Sequence, residues 1–189
     1  MITRLAFLAI VSSILSACVT PSMGGVEDLT ECKKGYQATQ SGRHSAAVDL
    51  YNSCIKHGNL TEPSLSRTYR NIGIANRRMK KPKVAIEYFN KSLSYDPFDK
   101  QHDYINRGNS WSDLGQYQNA LADYTKALSI APKEGAAVFN RGIVYERLGQ
   151  IDKAVKDFYL ATRLRYGSLE LLMAINRNAH HFKKLKESN

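Results

Sequence analysis

The chain has 189 residues, of which 43% are hydrophobic and 23% charged, a composition typical of a globular protein rather than a disordered one. Its 12 glycines and 5 prolines exclude a collagen-like chain, and its 3 cysteines are too few for a disulfide scaffold and lack the spacing of a zinc site. The formal net charge of +10 would indicate nucleic acid or another acidic surface as the partner of a cytosolic protein.

The beginning of the chain has the pattern of an export signal. One positive charge, at Arg4, precedes the uncharged and mostly apolar run of residues 5–15. This run is too short to cross a bilayer as a helix, which takes about 20 residues, but it fits the core of a signal peptide. It ends in Leu15-Ser16-Ala17-Cys18, which resembles the bacterial lipobox, where small residues precede a cysteine that receives a diacylglycerol. We expect residues 1–17 to be a lipoprotein signal peptide and Cys18 to be lipidated; the alternative is an ordinary signal peptide in which Cys18 is incidental.

The residues after the lipobox indicate where the protein would be held. Residues 18–27 are expected to form the lipidated N-terminus and a short flexible tether. Position 19 is Val rather than Asp, which by resemblance to enterobacterial sorting favours an outer-membrane anchor that faces the periplasm. Loss of residues 1–17, with Arg4, leaves a net charge of +9. In a periplasm, this charge would meet acidic proteins, anionic lipids, lipopolysaccharide or peptidoglycan carboxylates, and we expect no nucleic-acid partner.

Several residue classes recur every 34 or 35 residues through the rest of the chain. A glycine, an alanine and an aromatic residue share this offset: Gly73, Gly108 and Gly142; Ala85, Ala120 and Ala154; Phe89, Tyr124 and Phe158. Apolar residues within each unit are spaced as on two antiparallel helices of about 14 residues, each about 20 Å long. Gly115, between two such helices, suits a left-handed turn, and Pro132 ends the second helix.

This pattern resembles the tetratricopeptide repeat, a helix pair of about 34 residues. The resemblance implies an all-α, right-handed superhelical solenoid over residues 28–189, with units at about 28–61, 66–99, 101–134 and 135–168, of which the first matches least well. A capping helix at about 168–186 would bury a stripe that includes Leu169, Leu172 and Met173. Four helix pairs and this cap make nine helices.

Two cysteines fall in the first unit, Cys32 early in its first helix and Cys54 late in its second. These ends are neighbours in an antiparallel pair, so a disulfide is sterically possible, and an oxidising periplasm permits it. The bridge would stabilise the fold by roughly 3 kcal/mol through loop closure. We expect the disulfide; the alternative is two buried free thiols.

In tetratricopeptide proteins the first helix of each unit lines a concave groove, so the resemblance also implies a binding site. The family's groove-facing places correspond here to Arg67, Arg70, Asn71, Ile74, Arg77, Arg78, Ile105, Asn106, Asn109, Phe139, Asn140 and Ile143. The arginines of unit two would form a basic wall for an acidic partner; the alternative is a solvated face. Asn71, Asn106 and Asn140 resemble an asparagine ladder that binds a peptide backbone; the alternative is that they seat the next unit.

No constellation of side chains in the sequence predicts catalysis. His180 and His181 are adjacent and therefore point to different sides of a helix, the other histidines are isolated, and no phosphate-binding glycine loop is present. We expect a non-enzyme without metal or cofactor. The favoured function is a periplasmic adaptor that binds envelope proteins or peptide segments in a pilus, secretin or peptidoglycan-hydrolase complex. The alternative is a structural or envelope-stress lipoprotein that binds peptidoglycan or lipopolysaccharide.

Replacement of Cys18 by alanine should leave an unprocessed precursor, because the thiol that would receive the lipid is gone. The measurement is incorporation of labelled palmitate by cells that express the wild-type or the Cys18→Ala chain. Label is expected in the wild type alone. Label in the Cys18→Ala chain would show that the lipoprotein prediction is wrong.

Overall fold

The computed structural model describes residues 28–95 and 99–187, and in these ranges the chain consists of helices joined by turns. The helices, in chain order, are α1 (Thr30–Gln40), α2 (His44–His57), α3 (Glu62–Arg78), α4 (Pro82–Tyr95), α5 (Lys100–Asp113), α6 (Tyr117–Ile130), α7 (Gly135–Arg147), α8 (Ile151–Arg163), α9 (Leu169–Arg177) and α10 (Ala179–Glu187). The prediction of an all-α solenoid of helix pairs is confirmed.

The predicted leader, Cys18 and the tether lie outside the described residues. Among the helices that are described, none is both long and apolar enough to cross a membrane. The helix α3 begins at Glu62, before the predicted start of unit two at residue 66, so the connection from unit one is shorter than expected.

Consecutive helices pack as pairs that stack along the chain: α1 with α2, α3 with α4, α5 with α6 and α7 with α8. The turn within a pair needs a left-handed residue, which is glycine in three pairs, at Gly42, Gly115 and Gly149, with φ between 70° and 73°. Lys80 takes this place between α3 and α4, with φ 59°. A non-glycine residue in this conformation costs about 1–2 kcal/mol, so this turn is the strained one of the four.

Each pair depends on a contact between a glycine of its first helix and an aromatic ring of its second. A Cβ atom added at Gly108 would lie 2.8 Å from Cε1 of Tyr124, and one at Gly142 would lie 2.7 Å from Cε1 of Phe158. The other two pairs have the same contact, between Gly35 and Tyr51 and between Gly73 and Phe89. All four rings are buried, so the two helices of a pair approach until the ring meets the glycine backbone.

Two largely buried ion pairs strengthen the later units. Arg107 of α5 donates two hydrogen bonds to Asp123 of α6, at 2.7 and 2.8 Å, and Arg141 of α7 donates two to Asp157 of α8, at 2.8 and 2.9 Å. Both aspartates are more than nine-tenths buried. Their hydrogen bonds raise the pKa of each guanidinium, so these two aspartates, which recur at one place in the repeat, are structural.

The cap differs from the predicted single helix of residues 168–186. Asn178 caps the end of α9, where its φ of −106° and ψ of 23° depart from helical values and its side-chain amide donates to the carbonyl of Ala174. The chain turns at this point, and α10 packs mainly on α8, where Phe182 joins the core. The described residues therefore contain ten helices rather than nine.

The buried face of α9 also differs from the predicted stripe. Leu171 and Ala174 are buried, whereas Leu169, Leu172 and Met173 are more than half exposed. The physical reason is that α10 packs on α8, so α9 lacks a second helix against the side that these three residues occupy.

Cys32 of α1 and Cys54 of α2 are joined by a disulfide, with their Cα atoms 5.3 Å apart. At the same end of the pair, the backbone N–H of Asp28 donates to the carbonyl of Gly58 at 2.8 Å. The first helix pair, whose residues match the repeat least well, is therefore closed by a covalent bond.

Candidate binding groove

Three neighbouring cavities lie along the face formed by the first helices of the pairs, and we call this face the groove. The N-terminal cavity, of about 390 Å³, lies between α1 and α3. The central cavity, of about 540 Å³, lies between α3 and α5, and the C-terminal cavity, of about 750 Å³, lies between α5 and α7. The cavities thus follow the order in which the first helices stack.

Ten of the twelve residues predicted for the groove line one of these cavities. They are Arg67 and Asn71 in the N-terminal cavity, Ile74, Arg77, Arg78 and Asn106 in the central cavity, and Asn109, Phe139, Asn140 and Ile143 in the C-terminal cavity. Most of them stand two residues before, or one, four or five residues after, the glycine that contacts the ring. This spacing puts them on one side of the first helix.

The other two predicted residues, Arg70 and Ile105, share a place in the repeat, three residues before that glycine. Ile105 is 8% exposed and belongs to a core cluster that includes Ala137 of α7. Phe139, at the same place in unit four, lines the C-terminal cavity but is 6% exposed and packs against Tyr166. The assignment of Arg70 and Ile105 to the groove is therefore corrected: this place packs against the next unit.

Arg70 fills this place with an ion pair to the next first helix. Its Nε and Nη2 atoms donate to Oδ1 and Oδ2 of Asp103 in α5, each at 2.9 Å. The side chain of Asp103 is 0% exposed and that of Arg70 is 14% exposed. Arg70 therefore compensates a buried carboxylate and joins α3 to α5, rather than forming an exposed basic wall.

The asparagines two residues before the glycine contact the preceding unit where that unit offers a tyrosine. Nδ2 of Asn140 donates to Oδ1 of Asn109 at 2.9 Å, and the Tyr124 hydroxyl donates to the same oxygen at 2.7 Å. Asn71 likewise lies beside the Tyr51 hydroxyl of unit one, where its amide partly offsets the rise that burial gives the pKa of that hydroxyl. For these two asparagines, the structure favours the interpretation that the amide seats one unit on the next.

Asn106 differs because the unit before it has Phe89 in place of the tyrosine, and a phenyl ring offers no hydroxyl. Its Nδ2 donates to the carbonyl of His102 in its own helix, at 2.9 Å, and its side chain lines the central cavity. Of the three ladder asparagines, Asn106 is the one whose side-chain amide donates within its own helix, and this leaves it suited to contact a ligand.

An ion pair separates the central cavity from the C-terminal cavity. Nε of Arg77 in α3 donates to Oδ2 of Asp113 in α5 at 2.7 Å, and Nη2 donates to Oδ1 at 3.3 Å. Both residues line both cavities. The side chains are 37% and 42% exposed, so this pair, unlike the one between Arg70 and Asp103, stands in contact with solvent.

Positive charge collects around the first two cavities. Arg67 lines the N-terminal cavity, and Arg78 and Lys80 line the central one. Among the described residues, these three side chains have no ion-pair partner. The carboxylates that line the groove are Asp113, which is paired with Arg77, and Glu170 at the far end of the C-terminal cavity. The groove is therefore basic at its centre.

The structure adds residues that the sequence analysis missed. Lys33, Tyr36 and Gln37 of unit one line the N-terminal cavity, His44 lines the central cavity, and Tyr117 and Glu170 line the C-terminal cavity. Tyr36 follows Gly35 as Ile74 follows Gly73, so the same register could have found it. Glu170 lies in the cap, where the repeat pattern gives no groove position.

Models of the tetratricopeptide repeat match residues 66–99, 104–134 and 136–166, together about half of the chain. The chain belongs to the tetratricopeptide repeat family. The three matched segments cover most of α3 to α8 and all the lining residues of the central and C-terminal cavities except His44 and Glu170.

Other tetratricopeptide repeat proteins share this arrangement. The TPR repeat-containing protein MJ1428 of Methanocaldococcus jannaschii is 24% identical over 161 residues, which are 84% of this chain and 27% of the archaeal protein. This chain thus spans about a quarter of that relative's length. The solved structure of MamA protein aligns with a TM-score of 0.67 at 20% identity, over 84% of this chain and 83% of that chain. The first TPR of Spaghetti (RPAP3), bound to HSP90 peptide SRMEEVD, aligns with a TM-score of 0.59 at 19% identity, over 62% of this chain and 95% of that chain.

Replacement of Arg70 by methionine should destabilise the fold by about 3–5 kcal/mol, because it removes the guanidinium that donates two hydrogen bonds to the buried carboxylate of Asp103. Arg67→Gln, one turn earlier on the same helix, serves as the control: Arg67 is exposed and should contribute within about 0.5 kcal/mol. The measurement is urea unfolding of both variants. Equal stability of the two variants would contradict the structural role of the ion pair between Arg70 and Asp103.

Proposed function

We propose that this protein is a lipid-anchored periplasmic adaptor that binds an extended, acidic segment of an envelope protein in its groove. The observation that carries the proposal is the row of three cavities along the first helices, with basic side chains at its centre. An extended chain could cross all three cavities and contact every unit, which suits a solenoid whose first helices stack side by side.

The backbone at Lys80 supports the assignment of an acidic partner. The other three pairs have glycine at this turn, whereas unit two has a lysine that adopts a left-handed conformation at a cost in stability. The result is a cation beside the central cavity, next to Arg78. Because the left-handed conformation of Lys80 lowers the stability of the fold, its positive charge is more readily explained by binding of a ligand than by a role in folding.

A structural neighbour supports peptide binding as the class of function. The peptide SRMEEVD, bound by the first TPR of Spaghetti, has three acidic residues and one basic residue. We propose that the present groove also accepts acidic side chains, with Arg77, Arg78 and Lys80 as their partners and Asn106 as a donor or acceptor for the peptide backbone.

The proposed location rests on the lipobox-like residues 15–18 and is compatible with the disulfide between Cys32 and Cys54, since disulfides persist in oxidising compartments. The role is one of binding rather than catalysis. Asp113, the carboxylate at the centre of the groove, accepts two hydrogen bonds from Arg77, which supports a role in ion pairing rather than in catalysis.

The test is site-specific photo-crosslinking in cells that express the full chain. A photoreactive residue replaces Arg78 in the central cavity or Ser112 in the C-terminal cavity. The matched controls are Thr125 on α6 and Lys156 on α8, which are exposed and line none of the three cavities. We expect one discrete envelope protein to be captured from positions 78 and 112 and not from the controls.

Two outcomes would contradict the proposal. Capture of a protein from positions 125 and 156 alone would place recognition on the second helices. Absence of any protein adduct, together with cosedimentation of the lipoprotein with purified peptidoglycan or lipopolysaccharide, would favour the alternative of a structural or envelope-stress lipoprotein.

A further inference from the structure

The ion pair between Arg77 and Asp113 stands where the central cavity and the C-terminal cavity share lining residues. Both side chains face the central cavity and the C-terminal cavity. With the pair closed, a chain lying in the groove would have to cross a guanidinium and a carboxylate that are already bonded to each other. The pair therefore obstructs the groove. It also keeps one cation, Arg77, in a bond with Asp113 that a ligand could replace.

A second ion pair in the same fold shows what a permanent link looks like. Arg70 and Asp103 also join α3 to α5 through two hydrogen bonds, but their side chains are 14% and 0% exposed. Arg77 and Asp113 have similar bonds with 37% and 42% exposure. Water screens an exposed pair, so its net contribution to stability is small and another carboxylate can replace its acidic member at little cost.

The surroundings of the pair favour a carboxylate that arrives from the central cavity. Arg78 and Lys80 line that cavity with Arg77, whereas Asp113 is its single acidic lining residue. Nδ1 of His44, which lines the same cavity, is buried without a hydrogen-bond partner among the described atoms. An incoming carboxylate would thus meet three cations and one competing acid. On release, Asp113 would share the C-terminal cavity with Arg147.

We propose that the acidic segment of the partner replaces Asp113 on Arg77 and so joins the central and C-terminal cavities into one continuous groove. This inference rests on the proposed function and adds to it a reason why the groove would prefer acidic segments to neutral ones. A segment with a carboxylate at this point opens the groove, whereas a neutral segment leaves the internal pair in place. Asp113 is therefore a specificity-determining residue that competes with the ligand.

The experiment uses two eight-residue peptides as probes, one with alternating Glu and Ser and one with Gln in place of each Glu. Affinities are measured by titration of the mature lipoprotein in detergent micelles, in the wild type and in Asp113→Asn. Because the variant releases Arg77 and removes one like charge, it should bind the Glu peptide about three- to tenfold more tightly. Its affinity for the Gln peptide should not change.

Glu170→Gln is the matched control for charge alone. Glu170 lines the C-terminal cavity and is exposed, so its replacement removes one carboxylate from the groove without releasing an arginine. We expect less than a twofold change with either peptide. Addition of Arg77→Gln to Asp113→Asn should abolish the gain, since the residue that receives the carboxylate is then missing.

The Nε–H resonance of Arg77 reports the exchange directly. It should shift when the Glu peptide is added to the wild type and should not shift with the Gln peptide. Equal gains for Asp113→Asn and Glu170→Gln would overturn the inference in favour of simple charge repulsion. Failure of every variant to bind the Glu peptide would also overturn it, while the crosslinking at positions 78 and 112 would still decide whether the groove binds a protein. An equal response to inorganic phosphate would show a general anion site instead of a peptide site.

Discussion

The structure depends on the closeness with which a glycine of each first helix meets an aromatic ring of the second. No side chain larger than hydrogen fits between Gly108 and Tyr124 without displacement of the ring, and the same holds in the other three pairs. This contact sets the distance between the two helices of a pair. Since every pair has nearly the same spacing, the pairs stack regularly, and their first helices form the continuous face on which the three cavities lie.

Ion pairs also join the two helices within units three and four, and unit two lacks the corresponding pair. Units three and four join their helices by the pairs of Arg107 with Asp123 and Arg141 with Asp157, where unit two has Ile72 and Tyr88. Unit two also has Lys80 at the turn, where the other three units have glycine. Its first helix and turn provide Arg77, Arg78 and Lys80, which line the central cavity, and Arg70, which pairs with Asp103 of α5. The unit that is least regular in its turn is therefore the one that supplies the basic centre of the groove.

The sequence was sufficient for the features that repeat within one unit. The period of 34 or 35 residues predicted the helix pairs and the turn glycines, because each of these follows from spacing along one or two helices. The resemblance to the tetratricopeptide repeat supplied the side of the first helix that lines the groove. Features that depend on which residues of a neighbouring unit lie against a side chain could not be predicted in this way. Arg70 has a groove-like spacing, but its role is decided by Asp103 in the next unit. The asparagines differ according to whether the preceding unit offers a tyrosine.

The cap is a second example of contacts that the sequence of one helix does not predict. Leu169, Leu172 and Met173 have the spacing of a buried stripe, yet they are exposed, because the break at Asn178 directs α10 onto α8. The apolar pattern of α9 alone contains no information on which neighbouring helix will be present. Sequence periodicity therefore located the helices and one face of each. The contacts between units could be identified only from the three-dimensional structure.

The most direct test of this account is a double-mutant cycle between Gly108 and Tyr124, measured by urea unfolding. Gly108→Ala should destabilise the wild type by about 1–3 kcal/mol, because its methyl group would overlap the buried ring. In the Tyr124→Leu background the same change should be neutral or stabilising, since the ring is gone and alanine has the higher helix propensity. An equal effect of Gly108→Ala in both backgrounds would show that the contact between glycine and ring does not set the spacing of the helices, and would contradict the account.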